Sequence, residues 1–520
     1  MFTKPSLADL IDGITANAER HILPALAGSP AAQLLVDSMA TLDRLAAEWS
    51  ATSANLVVDN DDLRQTLARI GRPAPDAPSG AGGVVDVAGL AAEHCALKTA
   101  LVAAIEALDL PTSDSDAPDR RRVDDEVRQL LARMLRREAA AHPPTPPRQN
   151  PLSKAAAGLA PEARAQMTAA LERFIATELG DAADEVRVTN LDSMAGGASR
   201  EAFVFDVSWS TDAGVVAERC VMLRQPVSSV LESDESASSF TGSRRVPAVE
   251  FRMLRCMEAA GVPVPHMLWL ETTGTVLERP FSVARLIDGD ADHTKLFDAP
   301  HLQQVLDQYV QILAQVHTLD PAVVGVDFLG DPTPETAASL QVEQFAESVR
   351  RQQLEPFPAL TYLVRWLRKH LPRAPRISVV HGDFRLGNFM YDDTGILAML
   401  DWEQTHLGDP VEELAFMYWP LWTLEPLVPI EEFVCRYEAA SGIRVEAEAL
   451  GFYRAFIELK MSVVLLTGIR SFYATDERQV AYGATTALQM LCQCQLRFVD
   501  ELLHGGPTVT FGSDRNPLSG

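Results

Sequence analysis

Cysteine is scarce in this 520-residue chain: six residues, Cys95, Cys220, Cys256, Cys435, Cys492 and Cys494, with no CxxC pair and no zinc-type spacing. That pattern argues against a disulfide framework or a zinc cage and for reduced thiols. Cys492-Gln493-Cys494 lies in an apolar helical stretch and is expected in a core. Basic residues are also in deficit, 45 Lys and Arg against 71 Asp and Glu, for a formal charge of -26. A field of that sign repels phosphate backbones and anionic bilayers, so neither nucleic acid nor membrane is an expected partner. Met1 to Leu10 has no basic start followed by an apolar run, and no stretch reads as about 18 consecutive apolar residues. The expectation is a soluble cytoplasmic protein. One further absence bears on chemistry: no Lys occurs between Lys154 and Lys295.

What is present is an ordinary globular composition, 47% apolar and 22% charged, in a chain long enough for two or three domains. In the first 140 residues apolar side chains recur at helical spacing, as in Leu7, Leu10, Ile11 and Ile14, or Val123, Val127, Leu130, Leu131 and Met134. Breakers at Gly71-Arg72-Pro73 and Ser79 to Gly83 separate the segments, which predicts a helical bundle. The charged run Asp119 to Glu138 reads as a solvated helix face. His142 to Pro151 then carries five prolines in ten residues, which cannot continue a helix and mark an extended spacer.

After a helix at Pro161 to Leu179, the alternation of Glu201 to Trp209 and Val215 to Arg224 predicts strands. A helix from Val246 to Gly261 and strand-like stretches at Met267 to Leu270 and Thr275 to Ala284 complete a small mixed lobe. From His301 onward helices dominate, except for a strand and hairpin within Ile377 to Asp401. The predicted organisation is a helical domain at 1–141, a Pro-rich linker at 142–155, a small lobe with its leading helix at 156–286, a large helical lobe at 287–505 and a tail at 506–520. The fold class is α+β: a bilobal, kinase-like body with a small β-rich lobe and a large α-helical lobe, preceded by a helical bundle.

Chemistry concentrates in Val380-His381-Gly382-Asp383-Phe384-Arg385-Leu386-Gly387-Asn388. Phosphoryl transfer from ATP asks for a carboxylate to orient and deprotonate a hydroxyl, oxygen ligands for Mg²⁺ and a cation on the phosphates. Asp383 and Asn388 stand in the register of the kinase pattern H-R-D-x-x-x-x-N, with Gly382 in place of Arg. Two short strands, Asn388 to Tyr391 and Ile396 to Leu400, joined by Asp392-Asp393-Thr394-Gly395, predict a hairpin that returns Asp401 toward Asn388. His381 reads as a residue that packs and hydrogen-bonds the loop. Arg385 is open between a contact to phosphate or substrate and a pair with Glu403. Asp409, before Pro410, reads as a helix cap. Tyr418, Trp419, Trp422, Tyr453 and Tyr473 read mainly as core, and Lys460 and Arg470 as surface or as contacts to an anionic substrate.

On these residues the chain resembles the aminoglycoside phosphotransferase superfamily, whose HGDxxxxN loop and following D-x-D or D-W-E segment match His381 to Asn388 and Asp401-Trp402-Glu403. Gly408-Asp409-Pro410 and Val262-Pro263-Val264-Pro265 extend the match, which covers roughly 180–504. Gly196-Gly197-Ala198-Ser199, Leu223-Arg224-Gln225-Pro226 and Pro280-Phe281 resemble the branch found beside or fused to acyl-CoA dehydrogenases. The resemblance implies Asp383 as catalytic base, Asn388 and Asp401 as Mg²⁺ ligands, and a hinge at Ala284 to Leu286 whose backbone would hold adenine. Lacking the strand Lys, the chain offers Arg224 at the end of Val221-Met222-Leu223-Arg224, with Glu250 as its expected partner. Gly196 and Gly197 would let backbone approach phosphate and Ser199 would add a hydroxyl, in a loop that departs from GxGxxG.

The activity these residues predict is transfer of the γ-phosphate of Mg-ATP to a hydroxyl of a small molecule, such as a hydroxyacyl thioester, an amino sugar or another alcohol. The rival reading is a catalytically silent nucleotide-binding regulator whose helical domain binds a partner. For that domain, dimerisation and docking of another protein both stay open. A protein kinase fits less well, because no D-F-G or A-P-E segment follows the loop.

Overall fold

In the computed structural model, residues 7–26, 30–75, 87–108, 110, 118–141, 159, 161–180, 184–194, 200–225, 246–474 and 487–507 are described. The linker 142–155, the phosphate-loop residues Gly196, Gly197 and Ser199, and all of the tail beyond 507 lie outside the described residues. A helical N-terminal region is followed by a β-sheet lobe and a helical lobe, the α+β class expected.

The sheet lobe is built from five antiparallel strands, β1 (Asp184–Met194), β2 (Glu201–Thr211), β3 (Gly214–Arg224), β4 (Met267–Glu271) and β5 (Phe281–Arg285), in the order β1-β2-β3-β5-β4. Strand β2 shows why: Phe203, Phe205 and Val207 are buried, while the residues between them stay half-exposed. Helix Pro161–Leu179 lays Met167, Leu171 and Ile175 on that apolar face. Strand β1 escaped the sequence reading because only Val188 and Leu191 of its eleven residues are buried and its pairing with β2 slips twice, with positive φ at Glu185 and Asn190. The expected strand Thr275 to Ala284 starts only at Phe281. Before it the Glu271 carboxylate accepts the amide protons of Thr273 (2.7 Å) and Gly274 (2.9 Å), which holds that segment in a turn.

The helical lobe carries four short strands, β6 (Ser378–Val380), β7 (Phe389–Asp392), β8 (Gly395–Met399) and β9 (His406–Gly408). β7 and β8 form the expected hairpin, and β6 pairs with β9, so the loop between β6 and β7 starts from a fixed base. That loop is anchored from beneath. Glu413, fully buried, accepts the Gly382 amide proton at 2.7 Å on one oxygen and meets His317 Nε2 at 2.8 Å on the other; His317 Nδ1 lies 2.8 Å from the Tyr437 hydroxyl. Burial pushes the Glu413 carboxyl up, but the hydrogen bond and charge of His317, with His381 and the Gly382 amide, hold it below its ordinary value.

The compact units of the chain depart from the sequence boundaries. One comprises Met1–Ser153, Ser339–Pro372 and Gly451–Val509; the other comprises Lys154–Ala338, Arg373–Leu450 and Thr510–Gly520. The 1–141 segment is therefore not a unit by itself, and 287–505 is divided. The cause is apolar surface. Leu360, Leu363 and Leu367 of helix Pro358–Lys369, and Leu491, Phe498 and Leu502 of helix Ala487–Leu503, are buried in the same unit as Leu97, Leu101, Leu130 and Leu131 of the first helices. Polar groups are sequestered with them: buried Asp124 takes the Tyr362 hydroxyl and the Arg128 guanidinium, and Arg128 Nε reaches the same hydroxyl at 2.9 Å. Cys492 and Cys494 are core, as expected. Helix Val87–Glu106 is long and apolar enough to cross a bilayer by length and composition alone, but Glu93, His94, Lys98 and Thr99 interrupt its apolar run, and Glu93 and Lys98 are themselves buried.

Two stability predictions follow from these buried groups. Asp124→Ala, which leaves Arg128 and Tyr362 without their acceptor, is expected to cost about 2–4 kcal/mol in urea unfolding; a loss under about 1 kcal/mol would contradict the role given to Asp124. Because the Glu413 pKa is depressed in the folded protein, its stabilising contribution is present above the ordinary value of 4.5 and lost as pH falls below it. The melting-temperature gap between parent and Glu413→Gln should therefore narrow from pH 6 to pH 3.5, whereas a constant gap would contradict an ionised Glu413.

Candidate active site

The β6–β7 loop owes its path to two local constraints. Gly382 has φ +86°, and a Cβ there would collide with the carbonyl oxygen and Cβ of Gln404, so only glycine fits against Gln404. His381 is fully buried, its Nε2 2.9 Å from the Leu400 carbonyl and its ring against Trp402 and Phe384. It thus ties the start of the loop to the end of β8, the structural part expected of it.

Asp383 and Asn388 meet inside that loop. Asn388 Nδ2 donates to the Asp383 carboxylate (2.7 Å) and to the Asp383 carbonyl (2.9 Å), turning its amide oxygen away from them. Arg385 is the other neighbour of Asp383: its Nε donates to Asp383 Oδ1 at 3.0 Å, and its guanidinium lies 5.0 Å from the Trp422 ring centre. Of the two readings, a contact to phosphate or substrate and a pair with Glu403, the second is not taken up: Arg385 pairs with Asp383, and Glu403 pairs with Arg200. The hairpin delivers Asp401 as predicted. Leu400 N–H donates to the Asn388 carbonyl at 2.8 Å, and Met399 N–H to the Pro263 carbonyl at 2.8 Å, which seats the Val262 to Pro265 segment against β8. Asp401 adopts a left-handed conformation, φ 66° and ψ 56°, rare for a residue with a side chain, and accepts no helix-capping hydrogen bond from the turn that follows.

Negative charge crowds this point. Burial, then the carboxylates of Glu403, Asp383 and Glu250, push the Asp401 carboxyl up to about 7, against the pull of Arg200. Asp401 could offer a carboxylate and Asn388 an amide oxygen, hard donors of the kind that suit Mg²⁺, which commonly takes one or two protein oxygens and completes its shell with phosphate and water. Among the described residues no three His, Cys, Asp or Glu side chains gather as a self-sufficient cage.

The sheet lobe supplies the residue that sequence reasoning missed. Glu250, on helix Val246–Ala259 and buried, pairs with Arg200 and not with Arg224. Arg200 extends its other arm to Glu403 at 2.6 Å, and the Glu250 carboxylate also accepts the Trp402 amide proton. Arg224 instead donates through Nε (2.9 Å) and Nη2 (2.6 Å) to Glu201, which it faces across β2 and β3, and stacks 5.0 Å from Phe203. The register explains the exchange: Glu201 is directly opposite Arg224, so a cross-strand pair captures it. A cue existed in sequence, since Arg200 immediately follows the Gly196 to Ser199 segment, but nothing in its spacing tied it to Glu250.

At the expected hinge, Ala284 is buried within β5, while the Arg285 amide donates to the His266 carbonyl (2.9 Å) and the Leu286 amide to the Arg219 carbonyl (2.7 Å). Those two donors serve the lobe. Asp409 caps as expected, accepting the Val411 amide proton at 2.9 Å. Trp419 and Tyr453 are core, Lys460 is buried, and the Tyr473 side chain lies outside the described residues.

Comparison with known proteins agrees with the loop. Residues 243–452 match the family described as Phosphotransferase enzyme family. Acyl-CoA dehydrogenase family member 10 of Mus musculus is 31% identical over 180 residues, 32% of this chain and 16% of that protein. Family member 11 of Homo sapiens is 27% identical over 247 residues, 43% of this chain and 31% of that protein. The chain thus spans less than a third of the length of these relatives. A crystal structure from Ralstonia eutropha JMP134, assigned as an aminoglycoside phosphotransferase, aligns over 64% of this chain and 98% of its own at 20% identity with a TM-score of 0.45. Macrolide 2'-phosphotransferase type I aligns over 65% and 97% at 15% identity with a TM-score of 0.42. Residues 243–452, the stretch that matches that family, include Asp383, Asn388 and Asp401.

Proposed function

We propose that the chain is a small-molecule kinase that transfers the γ-phosphate of ATP to an alcohol hydroxyl, with Asp383 as the base and Asn388 and Asp401 as ligands of Mg²⁺. The observation that carries this reading is the join of base to ligands: Asn388 donates to Asp383, and the Leu400 amide, next to Asp401, is bonded to the Asn388 carbonyl. Support for phosphoryl transfer as the reaction class comes from the family match over 243–452.

Asp383 accepts and orients the substrate hydroxyl proton, and the two hydrogen bonds from Asn388 and Arg385 fix the plane of its carboxylate. Arg385, held over Trp422, stands beside the base where an incoming oxygen would pass. His381, Gly382 and Glu413 keep the loop from moving, so positioning is settled before the substrate arrives. Bound to Asn388 and Asp401, Mg²⁺ would supply charge neutralisation on the nucleotide phosphates. The acceptor class, from hydroxyacyl thioesters to amino sugars and other alcohols, is set by pocket shape and not by this loop.

Asp383→Asn should keep the fold and bind Mg-ADP within about threefold of the parent, yet lower kcat by about 10³ or more, as for a group acting mainly in the transition state. Comparable turnover in the two proteins, measured as acceptor-stimulated ADP release, would contradict the assignment. Asp401→Ala should remove the Mg²⁺ dependence of nucleotide binding; a variant that still requires Mg²⁺ for full affinity would place the metal elsewhere.

A further inference from the structure

We infer that Arg200 is the cation of the nucleotide site, taking the part that a strand lysine fills in kinases; the inference rests on the phosphotransfer reading above. The argument starts from an absence, since no Lys lies between Lys154 and Lys295 and the sheet lobe must use another positive group. Arg224 stands at the expected strand position but is committed elsewhere: Glu201 takes both its Nε and its Nη2, and Arg279 adds a second guanidinium to the same Glu201 oxygen at 3.0 Å.

Arg200 meets each requirement that Arg224 fails. It pairs with Glu250 on helix Val246–Ala259, the helix-borne glutamate that positions the cation in this type of site. Its second partner, Glu403, lies two residues from Asp401, the carboxylate assigned to the metal. Its side chain is only 10% exposed, so its charge acts in a medium that screens it poorly. Burial lowers its proton affinity, but Glu250 and Glu403 more than restore it, and the group stays charged.

The two carboxylates differ in burial. Glu250 is 7% exposed in its side chain and is further fixed by the Trp402 amide, so it is the permanent partner. Glu403 is 26% exposed and accepts only the outer arm. A phosphate oxygen can take the place of Glu403 on that arm without breaking the Glu250 pair. A guanidinium has five N–H donors, and these two contacts use two of them, which leaves donors for a bidentate grip on phosphate.

The test is calorimetric titration of Mg-ADP into the parent, Arg200→Gln, Arg224→Gln and Arg200→Lys, with thermal melting as a check on folding. The expected result is a loss of affinity of at least tenfold in Arg200→Gln and of less than threefold in Arg224→Gln. The reverse order, or equal losses, would overturn the assignment of Arg200 while leaving the kinase reading intact. No binding by the parent would overturn both. If Arg200→Gln does not fold, Arg200→Lys carries the test, because an ammonium cannot grip Glu250 and phosphate as a fork does. Its affinity should fall between threefold and thirtyfold, and parental affinity in Arg200→Lys would overturn the inference.

Discussion

Four carboxylates, Asp383, Asp401, Glu250 and Glu403, are gathered around one turn of the chain, and two guanidiniums answer them. Arg385 sits on Asp383, and Arg200 bridges Glu250 to Glu403. Charges of one sign do not assemble in a partly buried place without compensation, because the attraction that would offset their desolvation is missing. The Asp401 carboxyl is raised by its burial first and by the neighbouring carboxylates after it. The proposed use of the site, to hold a cation and the anionic groups that travel with it, rests on that shortage of positive charge.

Holding like charges together requires a frame that does not yield. Glu413, His317 and Tyr437 form a buried relay under Gly382; His381 bridges the loop to the end of β8; and the β6–β9 pair fixes the loop's entry. Each group in the relay is hydrogen-bonded, which is the condition under which buried polar residues rigidify a structure rather than weaken it. Asp401 in its left-handed conformation is held by the same frame, consistent with local strain being retained where the surroundings over-determine it.

The β6–β7 loop and the hairpin could be read from sequence because they are contiguous: Asp383, Asn388 and Asp401 lie within nineteen residues, and the turn chemistry of Asp392 to Gly395 specifies how the chain doubles back. What could not be read was long-range pairing. The Arg200–Glu250 pair joins residues fifty apart, and Arg224 was lost to a cross-strand neighbour whose register no pattern disclosed. Strand β1 hid behind its polar surface and its bulges. The same limit applies to the helices. From His301 onward the sequence reads as helical, but a helical pattern does not say what covers an apolar stripe, and the burial of 358–369 and 487–503 in one unit with the first 141 residues was legible only in three dimensions.

The central claim is that this cluster transfers phosphate, and ³¹P NMR of the protein with Mg-ATP and a mixed set of alcohol acceptors tests it most directly. The account predicts a new phosphate-monoester resonance that grows in step with ADP and appears with one chemical class of acceptor. ATP that binds and yet stays intact against every acceptor, or hydrolyses only to inorganic phosphate, would contradict it.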